Sequence, residues 1–228
     1  MFIDVVFPRK NEKEFILLAE KLGYSCLCFV YNFEPEITKK IYDLNELQKE
    51  TKIQLFLGLQ ASFSNIRKAK EICDFVLIKS DTENDQQILE KQKADLIFDF
   101  ELSERKDKIH YRVSGLNQVL CSFAYKKNTA IGFSLFSILN SKNKPLILGR
   151  IMQNIRLCRK YKLKTIFASF AQNPWQMRAA HDLISLGIVL GMHPSEAKNS
   201  LTNVLEIIKK NQKKRSPDYI SEDVEIIS

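Results

Sequence analysis

Short apolar runs alternate with amphipathic stretches from the first residues onward. FIDVVF (residues 2–7) is apolar except at Asp4 and is closed by Pro8, and NEKEFILLAEKLG follows with Phe15, Leu18, Ala19 and Leu22 on one helical face. Asn11 stands where a cap belongs, Glu14 completes a capping box, and Gly23 ends the helix. SCLCFVY predicts a second strand, and Pro35 starts a helix reaching to about residue 50. The alternation continues as IQLFLGL with a helix near 64–73, FVLIKS with a helix near 84–92, and then DLIFDF.

In the second half, LNQVLCSFAYKK predicts a helix with Leu116, Val119, Leu120, Phe123 and Ala124 on one face, and TAIGFSLF predicts a strand. Residues 146–161 form a long helix and TIFASF a strand. Pro174, behind Asn173 as cap, opens a further helix, and the last helix runs from about Pro194 to about Asn211. Seven strands are clear, and IHYRV offers an eighth.

Strands that are apolar throughout belong to parallel sheets covered on both faces. The expected fold class is therefore α/β, a TIM-barrel-like (β/α) barrel. At 228 residues one domain suffices, with residues 1–208 as the barrel. Residues 209–228 switch from basic to acidic with little periodicity and predict a flexible tail.

Composition removes several classes of function. No run approaches the roughly 20 apolar residues of a membrane span, and MFIDVVFPRKNEKE lacks the layout of a signal peptide, so the expected location is the cytoplasm, with no membrane partner. The five cysteines include no C-x-x-C, and Cys26 and Cys28 read as small buried hydrophobes on one strand face. The three histidines, His110, His181 and His193, fall in no metal-ligand spacing, so no metal site is expected. No glycine fingerprint for nucleotide phosphates follows a strand.

The net charge of +8 hides a strong division along the chain. Residues 1–108 hold 17 Lys and Arg against 20 Asp and Glu, a net of −3; residues 109–215 hold 18 against 3, a net of +15. So basic a segment points to a polyanionic partner.

Within it, the helix over 146–161 turns Ile147, Leu148, Ile151, Met152, Ile155 and Cys158 to the core, and Gln153, Arg156 and Lys160 outward, with Arg150 and Arg159 on the flanks. Arg156 and Lys160 are four apart with no acid between them and repel each other unless an anion lies across both. Arg112, Lys126, Lys127 and Arg178 extend the positive sector. Ser114 is expected to cap a helix beginning at Gly115, so that its free N–H groups and Arg112 hold one phosphate. His110 has no acid or nucleophile beside it in sequence and is assigned a supporting role, not catalysis. No two of Asp4, Asp74, Asp95 and Asp99 stand out as a catalytic pair.

FIDVVFP, HYRVSGLNQVL, IGFSLFSIL, GRIMQNIRLCRKYKLK and MRAAHDLISLGIVLGMHPSEAKNSLT together resemble the protein component 3 family of archaeal ribonuclease P, homologues of a subunit shared by eukaryotic RNase P and RNase MRP. The resemblance is diffuse before residue 100 and specific from 110 to about 202. It implies a barrel related to the polymerase-and-histidinol-phosphatase superfamily, and a non-catalytic subunit that joins protein component 2, beside other RNase P proteins, in binding the catalytic domain of RNase P RNA. In such particles the RNA, with magnesium, removes the 5′ leader of precursor tRNA. The resemblance implies no cofactor bound by the protein itself. Carried over by motif, the RNA-facing candidates are Arg112, Ser114, Asn117, Arg150, Arg156, Arg159, Lys160 and Arg178. Metal-binding members of the superfamily open their first strand with H-x-H, where this chain has Ile3, Asp4 and Val5. Two other readings stay open at this point: a metal-dependent phosphoesterase on the same barrel, and a module that binds an acidic protein.

Overall fold

The computed structural model describes residues 1–34, 37–91, 94–104 and 106–216, and the backbone alone at 219–221 and 224–225. Seven parallel strands occur in the expected places: β1 Ile3–Val6, β2 Cys26–Asn32, β3 Gln54–Gln60, β4 Phe75–Lys79, β5 Leu96–Phe98, β6 Ala130–Ser134 and β7 Thr165–Ala168. Each pairs with its neighbour in sequence, so the sheet order is the chain order. The two edges meet. Val6 bridges Ala171 in parallel, the Phe7 N–H donates to the Ala171 carbonyl at 2.8 Å, and Asp4 Oδ1 accepts the Ser169 N–H at 2.7 Å. The single acid in the first apolar run thus clasps the seam of a nearly closed barrel.

Alternation along the strands makes two cores. Ile3, Val5, Cys28, Phe56, Leu77 and Ile166 fill the interior, whereas Val6, Phe29, Leu57, Ile97, Ile131 and Phe167 face the helices. The interior is so full that a Cβ at Gly132 would lie 2.7 Å from Phe98 Cβ. All five cysteines are buried and free, as hydrophobic packing requires.

The helices around the barrel are α1 Glu12–Lys21, α2 Ile37–Glu50, α3 Ile66–Ile72, α4 Asp85–Lys91, α5 Gln118–Lys127, α6 Leu135–Asn140, α7 Lys144–Lys160, α8 Ala180–Val189, α9 Pro194–Ser200 and α10 Asn203–Arg215. The expected helix start at Pro35 lies outside the described residues. Among the described residues, no helix is long and apolar enough to cross a membrane.

Several local expectations are corrected. IHYRV is not a strand. Side chains take two of its backbone N–H groups, the Val113 N–H on Asp107 Oδ1 and the Arg112 N–H on Gln153 Oε1, the Tyr111 carbonyl accepts the Lys108 N–H, and Ile109 is 95% exposed. Asn11 accepts the Arg9 N–H and does not cap α1 through its side chain. TAIGFSLF divides at Ser134, whose Oγ accepts the Ser137 N–H and starts α6. Pro174 opens only a 3-10 turn, capped by Asn173, before α8 begins at Ala180.

The expected last helix is two, broken at 201–202, and the second continues to Arg215. Residues 209–215 are therefore helix and not tail. Their polar side chains find partners at the starts of β4 and β5: Asn211 donates to Asp95 Oδ2 at 3.0 Å and Arg215 to Asp74 Oδ1 at 2.7 Å. Val204, Leu205, Ile207 and Ile208 of α10 join the interior core and close the barrel at the end where the strands begin. Tyr219–Ser221 and Val224–Glu225 form a short antiparallel pair, β8 and β9; the rest of the expected tail beyond Ser216 lies outside the described residues.

Candidate nucleic-acid interface

Polar side chains at positions 150, 153 and 154 of α7 all reach back to the segment between β5 and α5. Spacings of three and four put them on neighbouring rows of one helix surface. Arg150, 2% exposed, donates through Nε and Nη2 to Asp107 Oδ1, both at 2.9 Å, and through Nη1 to the carbonyls of Glu101 and Ser103 at 3.0 and 2.6 Å. Gln153 Nε2 donates to the Arg112 carbonyl and to Ser114 Oγ, each at 2.8 Å, and Asn154 Nδ2 donates to the Ser114 carbonyl at 3.0 Å. A segment without a ladder of its own is held by a helix some 40 residues later in the chain.

Two glycines allow this closeness. Gly115 has φ +80°, and a Cβ there would lie 2.2 Å from the Phe100 carbonyl oxygen. A Cβ at Gly149 would lie 2.5 Å from Arg112 Cζ, so the Arg112 guanidinium rests directly on α7. Asp107 anchors the far side. Its burial opposes ionisation, but the Val113 N–H and the Arg150 and Arg112 guanidiniums outweigh that and hold its carboxyl below the usual range.

These contacts redistribute the expected RNA-facing residues. Arg150 is buried and pairs with Asp107. Ser114 is buried too, and it caps no helix, because α5 begins at Gln118 behind Asn117, whose Oδ1 accepts the Leu120 N–H at 3.0 Å. The proposed phosphate cradle after Ser114 is therefore absent. Arg159 forms a two-pronged pair with Glu196 at 2.7 and 2.6 Å and donates to the Gly191 carbonyl, which ties α7 to α9. Arg178 is exposed but sits ahead of α8, where its guanidinium donates to the carbonyls of Trp175 and Met177. Met152, expected in the core, is 37% exposed.

Arg156, Lys160 and Lys126 remain exposed, with no acid partner among the described residues; Lys160 Nζ lies 5.7 Å above the Tyr161 ring. Arg156 lines an open groove of about 570 Å³ together with Lys108, His110, Tyr111, Arg112 and Met152. Arg112 is half exposed and 3.5 Å from Asp107, the one acid among the groove's described lining residues. The groove brings Arg112 and Arg156 together and gives His110 a place on its wall. Sequence reasoning missed Lys108 and Tyr111, although the aromatic between His110 and Arg112 was a usable signal. Tyr111 is 61% exposed and stands beside Ile109 at the loop's tip.

A second cavity, of about 490 Å³, opens at the mouth where the strands end. In a parallel barrel this is where metal ligands and catalytic groups stand. Here Phe7, Gln60, Lys79 and Phe170 occupy that end, and among the described residues no three His, Cys, Asp or Glu come together to hold a metal ion. Asp4 is engaged at the seam, Asp74 and Asp95 lie at the opposite end, and Asp99 is 3.7 Å from Lys79. The described residues do not fit a metal at the mouth.

Fold and surface define a parallel β/α-barrel protein with a basic flank along α7 and no metal-ligand cluster among the described residues. A sequence model of the family described as RNase P subunit p30 matches residues 1–216, and the chain belongs to that family. It is 26% identical over 226 residues to ribonuclease P protein component 3 of Methanosarcina mazei, covering 94% of this chain and 89% of that one. It is 37% identical over 89 residues to the protein of the same name from Thermococcus kodakarensis, covering 38% and 40%. Among solved structures, a chain of archaeal ribonuclease P with mature tRNA superposes with a TM-score of 0.83 at 20% identity, covering 98% of each chain. Histidinol phosphate phosphatase from Lactococcus lactis, complexed with zinc, L-histidinol and phosphate, superposes with a TM-score of 0.63 at 10% identity, covering 84% of this chain and 94% of that one. Both likenesses are of fold. The family match does not favour the phosphoesterase alternative.

Proposed function

We propose that this chain is a non-catalytic subunit of RNase P that binds and stabilises the catalytic domain of the RNase P RNA, together with protein component 2 and the other protein subunits. The RNA, using magnesium, then removes the 5′ leader of precursor tRNA; the cytoplasm is where the particle acts. Family membership supports this reading, as do the names of the relatives and the particle in which the similar fold was solved.

The observation that carries it is the flank of α7. Arg156 and Lys160 stand exposed, with no acid partner among the described residues, beside a tethered loop that presents Lys108, Arg112 and Tyr111. The cations replace counterions along the RNA backbone, and Tyr111 offers a face for an unstacked base. Gln153 and Arg150 work behind them, holding the loop in one conformation before RNA arrives, so that less ordering is required on binding. Asn117 and Lys126 extend the same reading to α5, which packs against α7, and Arg178 extends it to the turn ahead of α8.

The test is reconstitution of precursor-tRNA cleavage from the RNA and its protein subunits, with this chain omitted, supplied, or supplied with Arg156→Glu and Lys160→Glu. Omission and charge reversal are expected to depress cleavage at limiting magnesium. Cleavage unaffected by omission would remove the proposal.

A further inference from the structure

The acidic half of the sequence hides a basic site. Residues 1–108 carry a net charge of −3, yet the fold gathers Arg9, Lys10, Lys39, Lys40 and Lys79 around the barrel mouth, while Asp74 and Asp95 are turned to the opposite end. Only Glu34 and Asp99 oppose the five cations among the described residues lining the cavity. Lys79 is 3.7 Å from Asp99, and Lys40 is 3.7 Å from Glu12 and lies over the Tyr31 ring. Arg9, Lys10 and Lys39 are exposed and have no acid partner among the described residues. Arg9 is aimed by its hydrogen bond to Gln172 Oε1, which positions the guanidinium without neutralising it.

The floor beneath this rim is aromatic. Phe98 and Phe170 stack with centroids 4.8 Å apart, and Phe7, partly exposed, lies 6.2 Å from Phe170. Ser134, Ser137 and Asp99 interrupt it; Asp99, 4% exposed, has Ser137 and Lys79 beside its carboxylate, and its Oδ1 makes no hydrogen bond among the described residues. A buried acceptor left without a donor is costly unless a ligand supplies one. At about 490 Å³ the cavity is within the range for small-molecule sites and much larger than a lone phosphate needs.

From the cationic rim, the aromatic floor and the unmet acceptor, we infer that the barrel mouth binds a nucleotide. The rim takes its phosphate, the phenylalanines its base, and Asp99 Oδ1 a ribose hydroxyl. The site is separate from the α7 groove and does not depend on it. Its ligand is either a free nucleotide or the 5′-phosphorylated end of an RNA strand, which present the same chemistry.

Titration calorimetry of the full chain at low salt tests this with AMP, adenosine, inorganic phosphate and 2′,3′-dideoxy-AMP. AMP is expected to bind, with each of the other three weaker by about tenfold or more. Lys10→Glu with Lys39→Glu, both exposed, should weaken AMP at least as much, whereas Arg156→Glu with Lys160→Glu should leave AMP binding unchanged. In that last variant, a 5′-phosphorylated oligoribonucleotide that binds more tightly than AMP identifies an RNA end as the ligand, and equal affinity identifies the free nucleotide. No heat with millimolar AMP, equal affinity for AMP and phosphate, or AMP binding unaffected by the mouth variants would each overturn the inference. The dideoxy comparison uses the unaltered protein, so a misfolded variant cannot rescue or sink it.

Discussion

Gln153 and Arg112 bond to each other twice across 41 residues of sequence: the Arg112 N–H donates to Gln153 Oε1 at 3.2 Å, and Gln153 Nε2 donates to the Arg112 carbonyl at 2.8 Å. A side-chain amide thus serves as the strand neighbour that residues 109–113 lack. Gln153→Ala is expected to loosen this segment without changing net charge. Amide hydrogen exchange at 108–113 should speed up, and affinity for the RNA should fall several-fold. Unchanged exchange would mean that the loop is held by something other than α7.

Arg150 is the deeper anchor. Arg150→Ala leaves the Asp107 carboxylate and the carbonyls of Glu101 and Ser103 without this donor, a loss of about 3–5 kcal/mol for a buried pair broken on one side. Arg150→Lys cannot reproduce the planar fork and should recover only part of it. Urea denaturation measures both. A loss under ~1 kcal/mol for Arg150→Ala would place it with ordinary surface cations.

Two neighbouring arginines of α7 should separate by assay. Arg159 is bound to Glu196 and the Gly191 carbonyl, so Arg159→Ala is expected to cost about 1 kcal/mol of stability and little RNA affinity. Arg156→Ala should do the reverse. A matched loss of RNA affinity in both would restore Arg159 to the interface.

Burial also gives stability a pH dependence. Glu101 is fully buried, and desolvation, helped by the charge of Asp99, pushes its carboxyl up to about 8 from an ordinary 4.5. Between those values the folded state keeps a proton that the unfolded chain has released, so stability falls as pH rises through this window and levels off above it. Asp4, raised to about 6 by desolvation, acts in the same sense over a lower window. Asp107, whose carboxyl is lowered, acts oppositely and adds stability that is lost only in acid. Glu101→Gln should flatten the decline across the Glu101 window, where one retained proton costs at most about 1.4 kcal/mol for each step of one in pH. A variant that declines as steeply as the parent would contradict the burial argument.

How far the sequence could be read follows from where each contact's partner lies. The strands were legible because burial on both faces writes an uninterrupted apolar run, as in IQLFLGL and FVLIK, and each pairs with the next in order. Arg150 was not, because a cation on a helix flank reads the same whether its partner is water or Asp107, 43 residues earlier. Ser114 failed as a cap for a local reason: Gly115 takes a left-handed turn against Phe100, and the helix waits until Asn117 can cap it. The division of charge found the basic flank, since α7 lies wholly within the basic half. It could not find the mouth, whose cations are brought together only by closure of the barrel.

The central claim is that the exposed cations of α7 meet the RNA backbone. Its most direct test is the salt dependence of binding to the catalytic domain of RNase P RNA, with protein component 2 present, for the parent and for the chain with Arg156→Glu and Lys160→Glu. Each lost phosphate contact lowers the slope of log affinity against log salt by about 0.7–0.9. The account predicts a variant of unchanged fold that binds at least tenfold more weakly at low salt, with a slope shallower by about 1.5 or more. Equal affinity and an equal slope would contradict it.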